Sequence, residues 1–151
     1  MKPKSLACLA ALAILPLMAN AQNSEAAKPA PEKMGSFVLP WDKLAPNTPT
    51  KTGARRAVFE APTATLDKFH LHVSTLNPGE NTGALHRHPQ EECVIVKEGT
   101  LEINIDGKKS TAGPGAVIFY SANENENMTN IGPTPATYFV LQWFTALTPK
   151  S

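Results

Sequence analysis

The chain has 151 residues, 42% of them hydrophobic, with 14 Lys and Arg against 13 Asp and Glu and a formal net charge of +1. That length supports one domain with a core and not two, and so even a charge balance offers no basic field for neutralising nucleic-acid phosphates. Of the two cysteines, Cys8 and Cys93, the first falls in a segment read below as removable, so no internal disulfide is expected and packing must supply the stability.

Residues 1–21 read as a secretory signal. Lys2 and Lys4 give a basic start, Leu6 to Met18 an apolar stretch, and Ala19-Asn20-Ala21 a small-residue cleavage site. The apolar stretch is too short for a membrane span, which takes about 20 residues. The mature protein is therefore expected in the periplasm or outside the cell, with twelve basic residues facing thirteen acidic ones. Residues 22–36, rich in Ala, Lys, Pro and Glu without apolar periodicity, read as a disordered leader. Phe37-Val38-Leu39-Pro40-Trp41 is a short apolar arm that must be buried against the domain or a second subunit.

From Arg56 onward short runs of period two are divided by Gly, Pro and Asn, the pattern of an all-β domain. Strands are expected near residues 57–60, 68–76, 92–97, 101–106, 116–120, 126–129 and 136–144. Reversals are expected at Asn77-Pro78-Gly79, Glu98-Gly99-Thr100, Asp106-Gly107, Gly113-Pro114-Gly115 and Gly132-Pro133. No helix is expected. Seven closely spaced strands favour a sandwich or small barrel, in which closure hides strand edges.

The chemistry concentrates where His86 and His88, one residue apart, face the same side of an extended segment and Glu92 opens the strand after the Pro89 turn. Two imidazoles and a carboxylate leave coordination positions open on a divalent ion, where oxygen or substrate can bind. Glu92 shares parity with Val94 and Val96; if it points inward, they form an apolar wall beside the metal and Cys93 packs on the outer face. His70 and His72 repeat the His-x-His spacing without an acid in register and are read as surface or interface residues. Arg55-Arg56 and Lys108-Lys109 read as solvated turns. Tyr120, Tyr138, Phe119, Phe139 and Trp143 read as core and wall.

The spacing His86-x-His88-x-x-x-Glu92 followed seven residues later by Gly99 resembles the first motif of the cupins. The stretch from Gly115-Ala116-Val117-Ile118-Phe119 to Asn130 and Gly132 resembles the second. The likeness covers roughly residues 68–144 and implies a single-domain jelly-roll β-barrel over residues 37–151, N-terminal arm included, with a metal in its mouth. The chain departs from the motifs in four places. Glu80 stands where the first motif has a glycine; Ser121 and Asn123 replace the second motif's proline and glycine; Glu126 replaces its histidine ligand.

The resemblance implies one divalent transition metal, manganese, iron(II) or zinc, held by His86, His88 and Glu92 with Glu126 as fourth group. Two imidazoles and two carboxylates make a harder, more oxygen-rich site than three histidines and a glutamate, which disfavours copper. Glu126 would be a ligand or a general base beside the ion, solvent exposure being the third alternative; Asn125 and Asn127 flank it with amides for a ligand. Three functions follow as expectations: an exported, metal-dependent, dioxygenase-like oxidoreductase of a small organic substrate; a metal-dependent lyase or isomerase using Glu126 as base; or a non-catalytic small-ligand-binding module. The family likeness also implies a homodimer, with Phe37 to Trp41 at the contact.

Overall fold

Among the described residues, alternating side chains, punctuated by glycine, proline and asparagine, fold into nine antiparallel strands and one turn of 3-10 helix. The computed structural model describes residues 31–150, so residues 1–21, read as a signal, and residues 22–30, read as leader, lie outside the described residues. The strands are β1 (Thr48–Thr50), β2 (Gly53–Ala61), β3 (Lys68–Leu76), β4 (Glu91–Glu98), β5 (Leu101–Ile105), β6 (Lys108–Ala112), β7 (Val117–Tyr120), β8 (Glu126–Asn130) and β9 (Ala136–Phe144). They form a six-stranded sheet ordered β1-β2-β3-β9-β4-β7 and a three-stranded sheet ordered β6-β5-β8. The segment before β4 lies along the free edge of β8 through isolated bridges at Asn81–Thr129 and His86–Glu126. This all-β arrangement is the expected jelly roll.

Between the sheets lies the core, and the period-two pattern explains it. In β4 Glu92, Val94 and Val96 are buried while Ile95 and Lys97 face out; in β8 Glu126, Met128 and Asn130 are buried. Val94, Leu101 and Tyr120 are fully enclosed and belong with Ile103, Tyr138 and Val140 to one apolar cluster. Gly99 follows the cluster because a side chain will not fit. Its φ is +88°, and a Cβ there would stand 2.4 Å from the Ala136 Cα. Asn123, at the second motif's glycine position, takes φ 63°, a left-handed conformation that asparagine tolerates, and its N–H donates to the His88 carbonyl at 2.8 Å. Asn130 clamps the following turn: its amide donates to the Leu76 and Thr134 carbonyls and its Oδ1 accepts from the Gly132 N–H.

Two strands escape the sequence reading. Thr48-Pro49-Thr50 is wholly exposed, and Lys108 to Ala112 is exposed except for its last residue, so neither edge strand carries an alternating signal. Lys108-Lys109 is therefore strand rather than turn, with Lys109 Nζ 2.8 Å from Glu102 Oε1. Arg55-Arg56 likewise lies within β2, which runs further in both directions than residues 57–60. The arm packs on the outer face of the large sheet: Phe37 meets Phe59 edge to face at 5.8 Å, Trp41 meets Phe139 at 6.0 Å, and the Arg56 and Lys97 cations lie over the Trp41 ring. Within the leader, the Met34 N–H donates to the Pro62 carbonyl. No helix among the described residues is long and apolar enough to cross a membrane.

Candidate metal centre

Three elements deliver the four side chains expected at the centre. His86 and Glu126 are a directly bonded antiparallel pair, each N–H donating to the other's carbonyl, at 3.1 and 2.7 Å, so both side chains fall on the same face. His88 follows two residues later, and Glu92 enters on the inner face of β4. The result is convergence. His88 Nε2 lies 3.1 Å from Glu126 Oε1 and 3.5 Å from Glu92 Oε2, and His86 Nε2 lies 3.6 Å from Glu126 Oε1. His88, Glu92 and Glu126 each offer one ligand atom within 4.8 Å of the others; His86 reaches this trio through Glu126 from the more exposed rim.

The imidazoles are oriented for a cation. His88 Nδ1 stands 2.7 Å from the Gln90 carbonyl and His86 Nδ1 3.0 Å from the Ala84 carbonyl. A carbonyl only accepts, so each ring donates from Nδ1 and turns Nε2 to the centre, the arrangement usual for a metal-ligating histidine. Glu92 is held from behind, its Oε2 accepting from Gln142 Nε2 at 2.6 Å.

Burial sharpens the electrostatics. Glu92 and Glu126 are each 5% exposed, which corrects the solvent-facing alternative for Glu126. Desolvation raises the Glu126 carboxyl above its usual range against the opposing His88 hydrogen bond. His88 is raised from 6.5 to about 10, first by its hydrogen bond to Glu126 and then by that to Glu92. Two buried polar atoms beside the centre, Glu126 Oε2 and the Tyr120 hydroxyl, have no hydrogen-bond partner among the described residues. A proton on His88 alone leaves that donor set under-satisfied; a divalent cation matches its two neutral imidazoles and two carboxylates, so the residues fit a metal.

A cavity of about 170 Å³ opens over the centre, lined also by His72, Tyr138 and Gln142. It runs beside a second of about 210 Å³ that shares His72, Ser74, Thr82 and Tyr138 and reaches Arg55. His72 and His70 thus face inward rather than outward, the His70 side chain being 13% exposed. The acid that the sequence lacked in register is Glu60, on β2. Asn125 and Asn127 do not serve the cavity: their amides donate to Asp106 Oδ1 and to the Gly83 carbonyl. Cys93 lies outside the cavity, where burial raises its thiol.

Residues 72–142 match the family model Cupin_2, cupin domain. The match spans 71 of the chain's 151 residues, and the barrel has the jelly-roll fold of the cupins. Among solved structures it resembles the polyketide cyclase RemF from Streptomyces resistomycificus, with 20% identity, TM-score 0.58 and coverage of 73% of this chain and 80% of that one. A cupin described as RmlC-like from Shewanella frigidimarina has 15% identity, TM-score 0.57 and coverage of 78% and 96%. Against a sugar phosphate isomerase of the cupin superfamily from Silicibacter pomeroyi the identity is 24% and the TM-score 0.49, and the match spans 60% of each chain. At these identities the likeness to the first two shows the fold alone. No curated protein matches the chain.

Proposed function

We propose that this cupin is an exported, mononuclear, divalent-metal enzyme that moves protons on a small organic substrate, a lyase or isomerase in reaction type. The observation that carries the reading is the convergence of the His86 and His88 Nε2 atoms on two buried carboxylates, one of which, Glu126, keeps an oxygen free of any partner. A divalent ion bound there would act as Lewis acid toward a carboxylate or carbonyl of the substrate. The protein's own part is separate from that. Val140 and Met128 give the cavity its apolar lining, Gln142 fixes Glu92, and Glu126, its carboxyl raised by burial, is suited to take and return a proton.

A second reading, a dioxygenase-like oxidoreductase, is favoured by the same trio if Glu126 is a ligand, since two histidines and carboxylates leave open positions as in non-haem oxygenases. Protein reconstituted in turn with Mn²⁺, Fe²⁺ and Zn²⁺ separates the two. Incubated with small hydroxy and keto acids in D₂O, it is expected to incorporate deuterium without consuming oxygen. Oxygen uptake with catechols or other phenolics, and no deuterium wash-in, would establish the second reading instead. Glu126→Gln settles the role of that residue: retained metal with lost turnover marks a base, lost metal a ligand. The homodimer, with the arm at the contact, belongs to the same proposal; half-exposed Phe37 and Trp41 support it.

A further inference from the structure

A second group of ionisable side chains stands on β2 and β3, outside the metal-ligand set. His70 Nδ1 lies 2.7 Å from Glu60 Oε2, and His70 Nε2 lies 2.8 Å from His72 Nδ1. Arg55 Nη2 sits over the junction, 3.1 Å from His70 Nε2 and 3.3 Å from His72 Nδ1. A register shift between Ala57 and Phe59 makes this chain: it sets Glu60, rather than Phe59, opposite His70. The same row continues across the sheet through Gln142 to Glu92.

Donor and acceptor chemistry fixes the protons. A carboxylate only accepts and a guanidinium only donates, so Glu60 holds the His70 proton on Nδ1 and leaves Nε2 as acceptor. A proton on both His70 nitrogens would set an imidazolium 3.1 Å from the Arg55 guanidinium, whereas a neutral His72 carrying Nδ1–H, 3.3 Å from Arg55 Nη2, adds no second cation at the junction. The close contact between the two rings therefore takes its proton from His72 Nδ1, and the His72 lone pair is left on Nε2. Burial first, and then Arg55, hold the His72 imidazole neutral, lowered to about 3. That nitrogen has no protein partner among the described residues, and His72 lines the cavity over the metal centre. At the far end the Glu60 side chain is 56% exposed. The chain thus runs from the cavity to water.

We propose that Glu60, His70 and His72 form a proton path between the metal cavity and solvent, with His72 Nε2 as acceptor for an acidic O–H of the substrate while Glu126, on the same cavity, serves its C–H. The substrate bond breaks with its electron pair left on the substrate, and the proton forms an N–H bond at His72 Nε2. His72 passes its Nδ1 proton to His70 Nε2, and His70 passes its Nδ1 proton to Glu60 Oε2, which exchanges with water. The reverse transfer returns a proton to the product and restores both rings, as an isomerisation requires. Arg55 opposes a standing positive charge on His72, so that ring passes its proton on and does not store it.

The proposal rests on the metal-enzyme reading, and its test keeps the two apart. In the full chain labelled with ¹⁵N-histidine, NMR without and with Zn²⁺ is expected to show His70 and His72 as single Nδ1–H tautomers, with His72 neutral from about pH 5 to 8. Glu60→Leu should release both rings into tautomer mixtures, and His72→Gln should leave zinc content unchanged. A resting His72 protonated on Nε2, a His72 titrating at the ordinary value, tautomers indifferent to Glu60→Leu, or zinc lost in His72→Gln would each overturn the path. Wild-type protein with the expected tautomers but no zinc uptake would instead end the metal-enzyme reading.

Discussion

Zinc binding to this protein should strengthen about tenfold per pH unit between pH 7 and 9, because the ion and a tightly held proton compete for His88 Nε2. In the metal-free protein that imidazole is raised to about 10, chiefly by its hydrogen bond to Glu126. The side chain is only 16% exposed, so water screens the interaction little. At pH 7 the site lies some three units below that value, so expelling the proton weakens apparent affinity about 1000-fold, or ~4 kcal/mol. Competition against a chromophoric chelator at a series of pH values reads the slope directly. Affinity independent of pH above neutrality would show an ordinary histidine and refute the reasoning. Glu126→Gln removes the first cause of the shift, so a flattened slope is expected in that variant.

Other outcomes follow from the same geometry. Metal-free protein should lose stability as pH rises: a histidine raised from 6.5 to about 10 contributes fully below the unfolded value and loses that contribution up to the folded one. Urea unfolding should therefore show a decline of up to ~1.4 kcal/mol per unit between pH 7 and 10, and a flat profile would contradict it. Gly99→Ala should cost about 2–3 kcal/mol in the same assay, from positive φ and the clash with Ala136 together; a cost within error of zero would mean that the turn relaxes freely. Leu101→Ala, at a fully enclosed core position, should cost about 2–5 kcal/mol without changing zinc stoichiometry.

Which parts of this were legible in the sequence depends on the range of the interactions. Parity within β4 is local, and it placed Glu92, Val94 and Val96 inward and Cys93 outward as found. That His86 and His88 turn to the same side was also legible, although His86 stays at the exposed rim and the chain there makes one isolated bridge and not a continuous strand. Cross-strand register was not. The pairing of Glu60 with His70 depends on an irregularity in β2, so a histidine pair that looked unpartnered along the chain is partnered across it. Arg55 looked like a turn residue because β1 and the start of β2 carry little apolar alternation, yet it stands over both rings. Glu126 could be placed near the centre by motif spacing, but only its bonded pairing with His86 fixes the side it faces.

The most direct test of the metal centre is elemental analysis of the purified protein, before and after reconstitution with zinc, alongside His88→Ala and Glu92→Ala. The expected result is about one equivalent of transition metal per wild-type chain and loss of it in both variants with folding intact. A folded wild-type protein that takes up no metal, or variants that retain it undiminished, would contradict the account.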